Sequence, residues 1–183
     1  MQIAVYGSAG GKNVTDVAKQ AREVGRVIAR HKHILVTGAC PGLPYEAVLG
    51  ANEFDGRCIG YSPAIDLRDH VDRFAFPCRG FSEIIYMSEP FCRIDRAGQA
   101  ARKKIRNVFS AADAGVIISG RAGTLNEFTL LFDMGKRIGV LKGTGGVADN
   151  VIPVFLETTD KPSDSKIVFS DDPEELIIQL ESV

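Results

Sequence analysis

The sequence of 183 residues is poor in several features, and each absence excludes a class of protein. It contains no tryptophan and four cysteines. The cysteines (Cys40, Cys58, Cys78 and Cys92) lack the Cys-x-x-Cys spacing of zinc sites and the density of a disulfide framework. No stretch approaches the roughly 18 apolar residues that span a membrane, and the first residues lack a signal-peptide pattern. We therefore expect a cytoplasmic protein with free thiols.

Charge of one sign is not in excess. The 22 basic and 23 acidic side chains give a net charge of −1, which argues against a general nucleic-acid or anionic-membrane binder. We expect neither nucleic acid nor membrane as a partner. At roughly 100–200 residues per domain, the length and the 45% hydrophobic content indicate a single domain over residues 1–183.

Histidine is also scarce, with three in the chain. His31 and His33 flank a helix-to-strand turn, and His70 lies in a charged segment. Nothing in this spacing gathers them into a ligand set, and structural or solvent-facing histidines are the more common case. We therefore expect no metal site.

Glycine is the residue in excess, with 19 in the chain. Short apolar runs alternate with glycine-rich turns and helical patterns, which predicts βαβ units and a parallel sheet covered on both faces. The predicted class is an α/β three-layer sandwich with a mostly parallel sheet of about seven strands. The strands are predicted at 3–6, 34–37, 58–61, 84–87, 115–119, 138–141 and 167–169. Between the third and fourth strands, residues 62–82 are the least regular part of the chain.

The helices follow from apolar spacing. An apolar stripe (Val17, Ala21, Val24 and Ile28) predicts a first helix capped by Asn13 or Thr15. Further helices are predicted at 44–54, with Pro44 in the first turn, from 93 to about 112, at 125–134, near 147–156 and after residue 173.

Four glycine-rich turns, at 7–11, 38–42, 120–124 and 143–146, follow predicted strands and contain ten of the glycines. Right-handed crossovers place such turns at one edge of a parallel sheet, where α/β proteins bind ligands. Glycine amides and helix N-termini favour phosphate. The alternative is that the glycines only form tight turns. The candidate ligand-binding residues are Gly7, Ser8, Gly10, Gly11, Gly38, Ala39, Gly42, Gly120, Arg121, Gly123, Thr124, Gly145 and Gly146.

The turns do not match the common nucleotide motifs. The first turn is not Gly-x-Gly-x-x-Gly, and the second strand ends Val36-Thr37-Gly38 without the acidic residue of a dinucleotide site. The chain also lacks a P-loop and a Gly-x-Ser-x-Gly nucleophile elbow. NAD binding is therefore disfavoured, and P-loop NTPases are excluded.

Glu127 is the candidate catalytic residue, three positions after Thr124. One interpretation is a capping box, in which Glu127 bonds backbone amides at the start of the helix. The other interpretation places the Glu127 carboxylate at the ligand-binding edge of the sheet, where it orients water or a sugar hydroxyl. Arg102 and Arg106 lie four residues apart on one helix face. They form either a solvated basic surface or a clamp for an anion.

The segment Gly120–Glu127 is similar to the Pro-Gly-Gly-x-Gly-Thr-x-x-Glu signature of the Lonely Guy phosphoribohydrolases. These enzymes share a Rossmann-like fold with the molybdenum-cofactor carrier proteins and the DNA-processing protein A relatives. The Gly7-Ser8 opening, the Arg106-Asn107 pair and the Gly143–Gly146 turn also match, and the last two resemble the carrier-like branch more closely. Ser119 and Arg121 depart from the signature, standing where it has Pro and Gly.

The resemblance implies a Rossmann-like protein that binds a phosphorylated nucleotide or a molybdopterin-like ligand, with no required cofactor. The bound small molecule is expected to be a nucleoside monophosphate or the molybdenum cofactor. The alternative is an enzyme that cleaves the N-glycosidic bond of a nucleoside 5′-monophosphate. In that case the resemblance makes Glu127 the catalytic glutamate and either Arg102 or Arg106 the catalytic arginine. By the same resemblance, the protein is expected to form a homodimer or homotetramer.

Overall fold

The computed structural model describes residues 1–87 and 111–183. Most of the predicted basic helix, together with Cys92, Arg102 and Arg106, lies outside the described residues. The described residues form one seven-stranded sheet in which every neighbouring pair is parallel. The strands are β1 (Gln2–Gly7), β2 (Ile34–Thr37), β3 (Cys58–Tyr61), β4 (Glu83–Ile85), β5 (Ala114–Ile118), β6 (Arg137–Leu141) and β7 (Ile167–Ser170). The predicted α/β class is confirmed, and the sheet is wholly parallel rather than mostly parallel.

The strand order is β4-β3-β2-β1-β5-β6-β7. The chain runs outward from β1 to β4, returns to the centre at β5, and then runs outward to β7. The direction of winding therefore reverses between β1 and β5, which pair over their length from Ile3–Ala114 to Gly7–Ile118. Because all strands are parallel, their carboxyl ends lie at one edge, and this reversal opens a crevice there.

Seven helices lie wholly within the described part of the chain. They are α1 (Lys12–Arg30), α2 (Leu43–Asn52), α3 (Leu67–Asp72), α4 (Ala122–Asp133), α5 (Gly146–Asn150), α6 (Ile152–Thr158) and α7 (Pro173–Ser182). No helix in the described residues has the length and apolar content needed to cross a membrane.

The helices cover both faces of the sheet, which gives the predicted three layers. Alternate residues of β1 point to opposite faces: Ile3 and Val5 pack in a cluster with α1, α2 and α7. Ala4 and Tyr6 pack in a second cluster with α4, α5 and α6. The predicted stripe of α1 is buried in the first cluster. The central strands are therefore sealed on both sides, and their turns at the sheet edge remain open to a ligand.

Four helix boundaries differ from the sequence prediction. α2 spans Leu43–Asn52, so it begins one residue before the predicted start at Pro44 and ends two residues before residue 54. α1 begins at Lys12 with Gly11 as its N-cap, so the predicted cap at Asn13 or Thr15 is wrong. α4 begins at Ala122, three residues before the predicted start. The helix predicted near 147–156 is two helices that meet at Val151, because Pro153 lacks an amide hydrogen and fits only the first turn of α6.

The irregular segment 62–82 contains α3 and a buried histidine. His70 has no exposed surface. Its Nδ1 lies 2.8 Å from Ser62 Oγ and its Nε2 lies 3.0 Å from the carbonyl oxygen of Pro77. His70 thus holds the segment against the end of β3, and the expectation of a structural histidine is confirmed at this position.

Candidate functional site

A cavity of about 200 Å³ lies at the carboxyl edge of the sheet, where the direction of winding reverses. The turn after β1, the turn after β2 and the first turns of α4 all contribute to its wall. The lining residues are Gly7, Ser8, Ala9, Cys40, Arg121, Gly123, Thr124 and Glu127. The site therefore lies where open α/β sheets bind ligands.

The helices that begin beside the cavity have N-terminal amides without a side-chain acceptor. Gly11, the N-cap of α1, has no side chain, and Arg121, the N-cap of α4, carries only donors. By contrast, Asp66 and Asp172 cap α3 and α7 through their carboxylates. The aspartate caps thus belong to helices that follow β3 and β7, which do not flank the switch point. The helices that follow the two central strands keep their first amides available.

In α4 the first hydrogen bond within the helix runs from the Leu125 amide to the Arg121 carbonyl, at 3.0 Å. The amides of Ala122, Gly123 and Thr124 precede that bond and have no partner within the helix. They lie at the positive end of the helix dipole, which favours an anion. Gly123 and Thr124 line the cavity, so the anion-binding end of α4 faces it.

Arg121 adds a full positive charge to the same wall. It is exposed and lines the cavity, and a methyl group built on Gly11 would lie 3.7 Å from its Nη1 atom. The guanidinium therefore extends from the start of α4 to the start of α1. An arginine in this position can bind a phosphate through two parallel hydrogen bonds.

Glu127 lies one helical turn after Gly123 and also lines the cavity. Because Arg121 is the N-cap, Thr124 is the third residue of α4 and no capping box is centred on it. That interpretation of Glu127 is wrong. The pKa of Tyr6 is raised well above its usual value by burial and, secondarily, by the negative charge of Glu127. The Glu127 carboxylate therefore lies close enough to the buried Tyr6 hydroxyl to act on it electrostatically.

The turns are locked together in pairs. Gly42, with φ of 82°, packs so closely on the first turn that a methyl group there would overlap the Ser8 carbonyl oxygen. The Leu43 amide donates to that oxygen at 2.9 Å. On the other side, the Val147 and Ala148 amides donate to the carbonyl oxygens of Gly120 and Ser119, each at 3.1 Å. The glycine-rich turns thus form one continuous wall across four neighbouring strands.

The fourth turn contributes none of the residues that line the cavity. The Gly143 and Gly145 amides donate to the carboxylate of Asp149 at 3.0 and 2.5 Å. Gly146 packs against the Gly120 carbonyl group with no room for a methyl group. The amides at 143 and 145 are thus bound by an acidic residue of the chain itself, and this turn supports the third turn from behind.

The predicted site residues divide into two groups. Six line the cavity: Gly7, Ser8, Arg121, Gly123, Thr124 and Glu127. The others that the structure describes are not lining residues and lie in the turns behind or beside it: Gly10, Gly11, Gly38, Ala39, Gly42, Gly120, Gly145 and Gly146. The two candidate catalytic arginines, Arg102 and Arg106, lie outside the described residues.

Two lining residues were missed from the sequence. Ala9 and Cys40 both lie within predicted glycine-rich turns. The sequence signal for Cys40 is its place between Gly38 and Gly42, which the spacing of the cysteines along the chain does not reveal. A half-buried cysteine therefore belongs to the cavity wall.

The parallel sheet with its cavity at the switch point defines a Rossmann-like α/β protein. The model of the SLOG cluster4 family matches residues 1–177. The chain belongs to this family. An uncharacterized protein of Archaeoglobus fulgidus is 28% identical over 142 residues, which are 78% of this chain and 80% of the relative.

Solved structures share the fold. The X-ray structure of the structural-genomics target TM1055 has a TM-score of 0.81, at 21% identity over 100% of this chain and 99% of that chain. The molybdenum cofactor carrier protein of Chlamydomonas reinhardtii has a TM-score of 0.69, at 21% identity over 100% and 99% of the two chains. At these identities the likeness concerns the fold, and the Rossmann-like fold that the resemblance implied is confirmed.

DNA processing protein A from Helicobacter pylori also has this fold, with a TM-score of 0.67 at 16% identity over 100% of this chain and 80% of that one. Its structure is described for a single-stranded DNA binding mode. At this identity the likeness concerns the fold alone. The expectation that this chain has no nucleic-acid partner stays a prediction.

Proposed function

We propose that this protein binds a phosphorylated small molecule, a nucleotide or a molybdopterin-like ligand, in the cavity at the switch point. The observation that carries the proposal is the convergence of two helix N-termini without side-chain acceptors, those of α1 and α4, with Arg121 between them. Each helix end contributes about half a positive charge, and Arg121 contributes a full one. A phosphate placed there receives charge-assisted hydrogen bonds from all three.

The cavity size indicates which part of the ligand it holds. At about 200 Å³ it is smaller than the roughly 300–1,000 Å³ of pockets that enclose a whole small molecule. It fits the phosphate and its neighbouring groups, and the remainder of the ligand extends beyond the described wall. The amides near Gly123 then bind the phosphate, while Glu127 lies one helical turn further along.

The comparisons support a carrier role. The fold is shared with the carrier of Chlamydomonas reinhardtii and with a molybdenum cofactor binding protein of Rippkaea orientalis, which has a TM-score of 0.70 at 17% identity over 99% of this chain and 94% of that one. Molybdopterin carries a terminal phosphate, as does a nucleoside monophosphate. The same anion site therefore serves either ligand.

The variant Gly123→Ala tests the proposal. Gly123 has an ordinary negative φ, and a methyl group on it would meet nothing within 4 Å, so the fold does not require glycine there. Alanine at this helix position keeps or slightly raises the free energy of unfolding, by up to about 1 kcal/mol. Its methyl group stands where the ligand approaches the backbone. We expect binding to weaken at least tenfold.

The measurement is the rise in melting temperature with AMP, GMP, CMP and the molybdenum cofactor, followed by titration calorimetry with the ligand that raises it most. Asn126→Ala is the matched control, since Asn126 is exposed on the same helix and does not line the cavity. The control is expected to bind like the wild type. Equal affinity of Gly123→Ala and the wild type would contradict the proposed site, as would binding of none of these ligands at millimolar concentration.

A second candidate function is hydrolysis of the N-glycosidic bond of a nucleoside 5′-monophosphate, favoured by the position of Glu127 in the cavity wall. Water would replace the base at the sugar carbon, giving free base and ribose 5-phosphate. A carboxylate at this place would stabilise the positive charge that develops on the sugar and would orient the water. Release of free base by the wild type that is lost in Glu127→Ala would support this function. Unchanged release in Glu127→Ala would contradict this role of Glu127, and no release would leave the carrier function.

A further inference from the structure

The structure brings together two histidines and a glutamate that are far apart in sequence. His31 ends α1, His33 precedes β2, and Glu181 lies in the last turn of α7. Glu181 Oε1 is 3.0 Å from His31 Nδ1 and 2.6 Å from His33 Nε2, and the three donor atoms all lie within 4.8 Å of one another. We propose that His31, His33 and Glu181 bind a divalent transition-metal ion of the zinc type.

The backbone presets the histidine pair. Lys32, between the two histidines, has φ of 58°, a left-handed conformation that reverses the chain direction after α1. The two imidazole rings consequently lie side by side, with ring centres 6.2 Å apart. Both side chains are partly shielded, with 20% and 12% of their surface exposed. The pair is thus held in place before any ion arrives, and it remains open to solvent.

The donor set matches the chemistry of zinc. Two imidazole nitrogens and one carboxylate oxygen are typical ligands of Zn²⁺ and of the other late first-row transition metals. A water molecule would supply the fourth ligand of a tetrahedral zinc site. Bond lengths of about 2.0–2.1 Å place donors about 3.3 Å apart. The pairs at 3.0 and 2.6 Å therefore need to open by only about 0.3–0.7 Å.

A second carboxylate supports the site from behind. Glu174 Oε1 lies 2.7 Å from His31 Nε2, and Arg30 in turn pairs with Glu174. A metal-bound histidine usually donates its other ring N–H to a carboxylate, which fixes the ring and makes the ligand more basic. His31 therefore offers Nδ1 to the ion with its opposite nitrogen already held. His33 Nδ1 lies 3.2 Å from the Met1 amino nitrogen, so its ring must change tautomer when Nε2 binds the ion.

The site is independent of the proposed ligand cavity. α1 has 19 residues, so its two ends are about 28 Å apart. Gly11 begins α1 at the cavity, and the histidines follow its other end. A bound ion would join the end of α1 to the C-terminal helix α7 and would stabilise their contact without touching the phosphate site.

The test is titration calorimetry of the full chain with Zn²⁺ after treatment with a chelator. We expect one ion per chain, with affinity at least tenfold lower in His31→Gln, His33→Gln and Glu181→Gln. Glutamine retains a polar side chain of similar reach. It supplies no imidazole nitrogen at positions 31 and 33, and no negative charge at position 181. Glu53→Gln is the matched control, because Glu53 is another surface glutamate, paired with Arg26, and is not a member of the cluster. At a free ion concentration 100 times the dissociation constant, the melting temperature of the wild type should rise by about 5–10 °C.

Histidine NMR of the wild type gives a result that needs no variant. The ring nitrogen signals of His31 and His33 should shift on addition of Zn²⁺, with the change centred on Nδ1 and Nε2, respectively. The buried His70 provides an internal reference that should not shift. The proposal is overturned if Zn²⁺ does not bind at millimolar concentration, or if it binds without affecting these rings. Equal affinity of the histidine variants and the wild type would overturn it as well.

Discussion

Ser119 occupies a position where the backbone restricts the choice of residue. Its φ is 53°, and its amide donates to Thr144 Oγ1 at 2.8 Å. Among the described residues, its buried Oγ has no hydrogen-bond partner. The proline of the Lonely Guy signature has a fixed negative φ and no amide hydrogen, so it does not fit this turn. The departure at 119 is therefore a change of turn geometry as well as of side chain.

Replacing Ser119 tests this account of the turn. Ser119→Pro should lower the free energy of unfolding by at least about 3 kcal/mol, because it opposes φ and removes the bond to Thr144. Ser119→Gly should raise it by about 0.5–1 kcal/mol, since glycine accepts positive φ and leaves no orphaned hydroxyl. Urea denaturation of both variants measures the difference. A stable proline variant would show that the turn at 119 is not constrained as described.

The cysteines differ in reactivity according to their surroundings. Burial raises the pKa of the Cys58 thiol to about 12, whereas Cys40 is half-buried in the cavity wall and Cys78 is exposed. Because the thiolate is the reactive form, iodoacetamide in mildly alkaline buffer should modify Cys78 and Cys40 and spare Cys58. Peptide mass spectrometry locates the modified residues. Rapid modification of Cys58 in the folded protein would contradict its burial.

At the scale of secondary structure, the sequence predicted the existence of elements better than their ends. The apolar runs placed β2 and β3 correctly, because strands that are covered on both faces are short, nearly continuous apolar runs. The start of α4 was predicted too late, since Thr124 and Glu127 have the spacing of a capping box while Arg121 is the N-cap. Arginine is not a favoured N-cap residue, so no local pattern predicts it at this position. The first amides of α4 have no side-chain acceptor, and this end of the helix lies at the cavity.

Asp149 illustrates a role that sequence spacing does not reveal. Its carboxylate accepts the Gly143 and Gly145 amides, and so ties the fourth turn to α5, the helix that follows it. Asp149→Ala should lower the free energy of unfolding by about 1.5–3 kcal/mol, the range for hydrogen bonds to a charged group. Urea denaturation measures this, with Asp160→Ala in the exposed loop before β7 as the control. Equal stability of the two variants would contradict this role of Asp149.

At the scale of the whole molecule, the parallel sheet explains why the predicted turns share one edge. The sequence predicted that common edge, but local patterns contain no information on strand order. The order places the turns after β2, β1, β5 and β6 side by side, with the reversal between the central two. Glu127 and Gly123 could therefore be predicted as site residues from their motif. Cys40 lines the same cavity because the second turn packs on the first, and the motif does not predict that packing.

The same limit applies to the histidine cluster. Glu181 is separated from His31 by 150 residues and from His33 by 148. Only the packing of α7 beside α1 brings its carboxylate to them. From the sequence alone, the histidines were expected to form no ligand set, because their spacing contains no sign of this third partner.

The central claim is that a phosphate binds where α1 and α4 begin. The most direct measurement is a crystal structure of the protein with the panel ligand that raises the melting temperature most. The account predicts the phosphate within hydrogen-bond distance of the Gly123 amide and the Arg121 guanidinium, at the cavity between the turns after β1 and β5. A phosphate bound at the fourth turn or on the outer face of α1, with the cavity free of ligand, would contradict it.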